Sequence, residues 1–190
     1  MSKTLTKVSI RKQILSGSIG GIIGGIFMMI PIFFLSMMMG MPADGFVTMM
    51  GVALGSSIEN AAITGGVLHF LASGIIGILF TIVTGKSKKL SIFGVKKGVA
   101  LSVVTAAISM AVLGMPIMFG LMPPVMMQMM LEQNPETTQE FLMEQMQGMF
   151  PFLLIFDSMA HLLYGITLGV IHGTLMKKWS LQSTIAVNED

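Results

Sequence analysis

Cysteine is absent from this chain of 190 residues, which excludes disulfides, thiolate metal sites, iron–sulfur clusters and cysteine nucleophiles together. Charge is scarce as well. Only 11% of the residues are charged while 53% are hydrophobic, whereas a soluble domain needs about a quarter of its residues charged to cover its surface. No basic residue occurs between Lys12 and Lys86 or between Lys97 and Lys177. Recognisable catalytic signatures are missing too: there is no HExxH, no phosphate-binding glycine loop and no nucleophile paired with a histidine in a known motif, so an enzyme is not expected.

What fills the chain instead is apolar sequence in four long runs. They extend roughly from Ile14 to Met39, Ile58 to Thr84, Val99 to Leu121 and Phe150 to Met176. Each is long enough to cross ~30 Å of hydrocarbon at ~1.5 Å per residue. The first run contains Pro31, which membrane helices tolerate; it is too long and glycine-laden for a signal peptide, has no A-x-A site after it, and reads as a retained span. Four spans and their connections consume nearly the whole chain, so residues 1–190 are expected to form one integral membrane domain, an all-α bundle.

The eleven basic residues fix an orientation. Lys3, Lys7, Arg11 and Lys12 precede the first span; Lys86, Lys88, Lys89, Lys96 and Lys97 lie between the second and third; Lys177 and Lys178 follow the fourth. All fall on one side, which the positive-inside rule makes cytoplasmic, together with both termini. Trp179 suits an anchor at that interface. The other side carries Asp44 and Glu59 in its first connection and Glu132, Glu136, Glu140 and Glu144 in its second. The loop KSKKLSIFGVKK is therefore a topology signal that also meets anionic lipid, not a nucleic-acid site.

Both outer connections are expected to be structured. In the first, Pro42 to Ser57, the phrase GFVTMMGVAL is apolar but too short to cross, which predicts a short interfacial or re-entrant helix. In the second, Pro123 to Gly148, Asn134-Pro135-Glu136 combines a capping residue, a first-turn proline and an acid. Glu136, Glu140 and Glu144 on one face and Leu142, Met146 and Met149 on another predict an amphipathic surface helix.

Span two carries Gly65, His69, Ser73, Gly77 and Thr81 at every fourth position, and span four carries Asp157, His161, Gly165, Gly169 and Gly173 in the same register, 92 residues later. Spans one and three share the phrases MIPIFF and GMPIMF. The chain thus reads as a tandem repeat of two helical hairpins, about 14–85 and 99–176, related about an axis along the membrane normal. Small residues at this spacing, including Gly17, Gly20, Gly21, Gly24 and Gly25 in span one and Ser73, Gly77, Gly165 and Gly169 in the stripes, also let helix backbones approach closely.

The phrases MGMPADGFVTMMG, LHFLASGIIGILF, MPIMFG and HLLYGITLG resemble a family of small, uncharacterised four-helix integral membrane proteins of prokaryotes, over most of the chain. The acidic second connection departs from the shorter, less charged version in that family. The resemblance implies the architecture and brings no activity with it.

His69 lies seventeen residues from Lys86 and His161 sixteen from Lys177, which puts both imidazoles about 25 Å from the inner anchors along their helices. Asp157 is one turn beyond His161, with Tyr164 close to the same face. Ionisable groups at such depth are costly unless they face a bundle interior or a wet cavity, and they mark function by default. Three readings follow. His69, Asp157 and His161 hold a transition metal, copper first, or the two histidines hold a haem. Alternatively, Asp157, His161 and His172 belong to a proton path for coupled transport of a small solute. In the third, the histidines only bond neighbouring helices, within a homo-oligomer or as an accessory subunit of a larger membrane complex.

Methionine is the last anomaly, with 22 residues crowded into LSMMMGMP, VMMQMM and MEQMQGMF. Thioethers are soft ligands that select Cu(I), though methionine is also a flexible apolar filler. Met118, Met122, Met126 and Met130 recur every fourth residue, but Pro123 and Pro124 are expected to interrupt a helix through them.

The absence of cysteine makes the orientation directly testable. In intact cells, a membrane-impermeant maleimide is expected to label Thr137→Cys and to leave Ser87→Cys unlabelled until the membrane is broken; the reverse pattern would invert the topology.

Overall fold

The structure is a computed structural model that describes residues 8–133 and 135–187. The expected cap Asn134 and the basic residues Lys3 and Lys7 lie outside the described residues. The described chain is helical throughout its ordered elements: α1 (Ile10–Met38), α2 (Gly45–Ala53), α3 (Ile58–Lys86), α4 (Val95–Ser109), α5 (Met122–Gln133) and α6 (Gln139–Val187). Four stretches, Ile10–Met38, Ile58–Lys86, Val95–Glu132 and Gln139–Gln182, are long and apolar enough to cross a membrane.

The surface of α3 identifies the solvent it is built for. Ile63, Val67, Leu71, Ile75, Leu79 and Val83 follow one another at every fourth position, and every one of them is more than half exposed. In water such a stripe would be an aggregation site; in hydrocarbon it costs nothing, as a multi-pass membrane protein requires. The opposite stripe of small and polar residues, Gly65, His69, Ser73, Gly77 and Thr81, is buried.

Two expected helix ends differ. Span three was expected to stop near Leu121, but the helix runs on through Pro116, Pro123 and Pro124 because π-helical turns at Met110–Gly114 and Ile117–Leu121 precede the prolines. A proline lacks the N–H for an i−4 bond and its ring crowds that carbonyl; the wider π turn shifts the bonding register and relieves both problems. The methionine stripe is therefore not interrupted. Span four likewise begins earlier. Pro135 and Glu136 lie in a turn, Thr138 accepts the Phe141 N–H at 3.3 Å as the cap, and α6 then runs unbroken past Pro151. The expected amphipathic segment is thus the first part of α6. A short helix does occupy the first connection, as α2.

The turn from α1 into α2 and the turn out of α2 are built alike. Gly40 (φ 71°) and Gly55 (φ 84°) follow the ends of α1 and α2 in the left-handed conformation. At each, two backbone N–H groups fold back on the last carbonyls, Gly40 on Met37 and Met41 on Ser36, then Gly55 on Val52 and Ser56 on Gly51. This is the glycine-terminated helix end that reverses a chain without leaving orphan carbonyls.

The chain divides into two compact units, one of residues 1–27, 70–107 and 161–190, the other of residues 28–69 and 108–160. Each draws on both halves of the expected repeat. Every described basic residue belongs to the first unit, and every described acidic residue to the second.

In the first unit the helices meet backbone to backbone. A Cβ at Gly77 would overlap the Gly17 carbonyl, one at Gly21 the Ser73 carbonyl, and one at Gly98 would sit against the Gly169 carbonyl at 2.5 Å. Gly20 lies against Leu168 and Gly24 against Tyr164. Two hydroxyls add interhelical bonds: Ser102 Oγ donates to the Gly165 carbonyl at 2.6 Å, and Tyr164 Oη to the Ser73 carbonyl at 2.7 Å. In the second unit α2 lies on α3, with Gly65 against Val47 and Gly51 against Ala61.

Close approach of this kind makes a sharp prediction. Gly77→Ala is expected to destabilise the protein in detergent by about 1–3 kcal/mol because backbone must move, whereas Gly66→Ala, with nothing near its Cβ position, is expected to be neutral or stabilising by up to ~1 kcal/mol. Unfolding midpoints of the two variants measure this; equal midpoints would contradict it.

Candidate functional site

The second unit gathers the methionines. Met49 on α2, Met122 and Met126 on α5 and Met146 on α6 form a buried cluster, with Met39, Met41, Met50, Met127, Met129 and Met130 packed around it. Met118 joins an adjoining cluster with Leu35 and Leu153. The geometry follows from local structure: the continuous helix through Pro123 keeps Met118, Met122 and Met126 on one buried face, at 4–5% exposure, and the glycine turns on either side of α2 return Met49 to meet them.

Inside this cluster is a void of about 20 Å³. That is room for one atom-sized guest, since a single water needs roughly 10–15 Å³ on such a measure. Its wall contains six methionines, Met39, Met49, Met118, Met122, Met126 and Met146, completed by Phe46, Pro123, Phe150 and Leu153, with no nitrogen- or oxygen-bearing side chain. Water needs two to four polar partners to stay in a buried site, which the side chains of this wall do not supply. A larger cavity of about 260 Å³ shares Met49 and Met126 with it and adds Met41, Met129, Met130, Thr48 and the carboxylate of Asp44.

His69, Asp157 and His161 are all buried, at 7–8% exposure. His69 and Asp157 belong to the second unit and His161 to the first. Among the described residues, no three histidines, aspartates or glutamates gather into a group able to hold a metal ion.

His172, assigned from the sequence to a proton path, sits in a different setting in the first unit. It is 2% exposed. Its Nδ1 lies 2.7 Å from Ser16 Oγ, and its ring meets the Phe80 ring edge-on at 5.5 Å between centroids. Ser16 also donates to the Gln13 carbonyl at 2.7 Å. Sequence reasoning missed Ser16, Gln13 and Asp44 as site residues. The clue for the first two was present, since both are polar residues on the glycine-bearing side of span one.

No protein-family model, curated protein or solved structure matches this chain.

Proposed function

We propose that this protein is a multi-pass membrane protein that binds Cu(I) through methionine thioethers and takes part in moving it, with both termini cytoplasmic. The observation that carries this reading is the atom-sized void walled by six methionines and no harder ligand. Cu(I) is the biological ion that neutral thioethers select; Zn²⁺, Mg²⁺ and Ca²⁺ prefer nitrogen or oxygen donors that this wall lacks.

Charge balance supports the same choice. A bare cation in an apolar interior costs far more than a monovalent, soft ion whose coordination shell is completed by sulfur. The neighbouring cavity, with Asp44 beside Met41, Met129 and Met130, offers a carboxylate that attracts a cation from solution and thioethers to receive it. The acidic residues of the second unit suit an extracytoplasmic mouth under the positive-inside rule. The tandem-hairpin reading is retained on the same footing: α1 meets α3 through Gly17, Gly21 and Gly77, and α4 meets α6 through Gly98, Gly165 and Gly169.

The experiment loads full-length protein with Cu(I) under reducing conditions in mild detergent and competes it with a Cu(I)-specific chelator. Wild type is expected to retain about one equivalent. The Met49→Leu, Met122→Leu, Met126→Leu triple variant changes each side chain by a near-isosteric swap costing under ~1.5 kcal/mol per site, and is expected to bind at least tenfold more weakly. His69→Ala and His161→Ala are expected to bind as wild type. Loss of copper in the histidine variants with retention in the triple variant would return the metal to the imidazoles and overturn the thioether site.

A further inference from the structure

The first unit contains a third cavity, of about 350 Å³, apart from the methionine cluster. That volume lies at the lower end of the range for small-ligand sites. It is bounded by the start of α1 (Val8, Gln13), the end of α3 (Thr84, Gly85, Lys86), the α3–α4 connection (Lys88, Ser91) and the α6 residues His172 and Met176.

Its chemistry has a clear sign. Lys86 and Lys88 are the charged residues of the wall, and no carboxylate lines it. The carbonyl end of α3 opposes an anion with roughly half an elementary charge, which two full ammonium charges outweigh. Both lysines are exposed at the edge, so they meet the ligand where it enters. Deeper in, His172 is almost wholly buried, and its Nδ1 is taken by Ser16, which is not part of the wall. Nε2, which makes no hydrogen bond among the described residues, is the polar atom the ring can offer to the cavity. The Thr84 and Ser91 hydroxyls donate to the Phe80 and Ser87 carbonyls and present their oxygens to the cavity.

We infer that this cavity binds a phosphate group, through charge from Lys86 and Lys88 and a hydrogen bond from the phosphate's hydroxyl to His172. Ser16 donates its one proton to the Gln13 carbonyl, so Nδ1–H donates to Ser16 Oγ and Nε2 accepts from the P–OH of a hydrogen phosphate. The two lysines act as point charges of the kind that commonly bind phosphate. Phosphate at the basic end of membrane helices has two sources, the head of an anionic lipid or a soluble phosphoester, and the cavity's chemistry is the same for both.

The test uses full-length protein in neutral detergent with two probes, dioleoyl phosphatidic acid and glycerol 3-phosphate, and reads dissociation constants by native mass spectrometry for the lipid and calorimetry for the ester. Saturable binding of at least one probe is expected. Lys86→Gln with Lys88→Gln is expected to weaken it at least tenfold, and His172→Gln about threefold or more. Lys177→Gln with Lys178→Gln, which removes the same charge outside the cavity, is expected to change it less than twofold. Binding of phosphatidic acid alone assigns the site to lipid, and binding of glycerol 3-phosphate assigns it to a soluble ligand. Failure of both probes to bind, equal losses in the two double-lysine variants, or equal affinity for zwitterionic phosphatidylcholine would each overturn the inference. Copper retention in these variants reads out the methionine site separately.

Discussion

Helices can only touch at the distance their smallest facing residues allow, and in this protein that distance is set by glycine. Lipid gives no hydrophobic drive for one apolar helix to leave hydrocarbon for another, so association rests on close van der Waals contact and a few interhelical hydrogen bonds. The pairs Gly17–Gly77 and Gly98–Gly169 bring backbone against backbone. That contact places Tyr164 Oη on the Ser73 carbonyl and Ser102 Oγ on the Gly165 carbonyl. It also brings α1 near enough to α6 for Ser16 to reach His172.

A consequence is a division of chemistry along the chain. The first unit holds the described lysines, the tight glycine contacts and a buried imidazole beside a basic cavity. The second holds the described acids, the prolines and the methionine cluster. In the second unit glycine brings α2 against α3, and flexible methionines pack the cluster beside it. Six of this unit's methionines line one small void. The copper site proposed above would draw on the same side chains that pack this unit.

Much of this was legible in the sequence, and the misses have physical causes. Hydropathy located all four spans, and the fourfold stripes marked the buried face of α3 correctly because a helix repeats its faces on that spacing. Helix ends were less readable. Two π turns ahead of the prolines carry the third long helix past the expected stop, and nothing in composition announces a π turn. Pro135 was taken as a helix start, yet Thr138 supplies the cap one turn later. The histidines were read by depth, which sequence does give, but which side chains meet depends on contacts between residues far apart. Ser16 and His172 are 156 residues apart, and Met49 reaches Met146 only because two glycine turns reverse the chain around α2. The methionine stripe is visible in the sequence, and Pro123 and Pro124 are what hide its continuity there.

The proposed copper site is tested most directly by the identity of the atoms around the metal. X-ray absorption at the copper edge, on full-length protein loaded with Cu(I) in detergent, reports the first coordination shell directly. A shell of sulfur alone is the predicted result, since the wall of the void offers only thioethers. A shell dominated by the nitrogen scattering characteristic of imidazole would contradict it and move the site to the histidines.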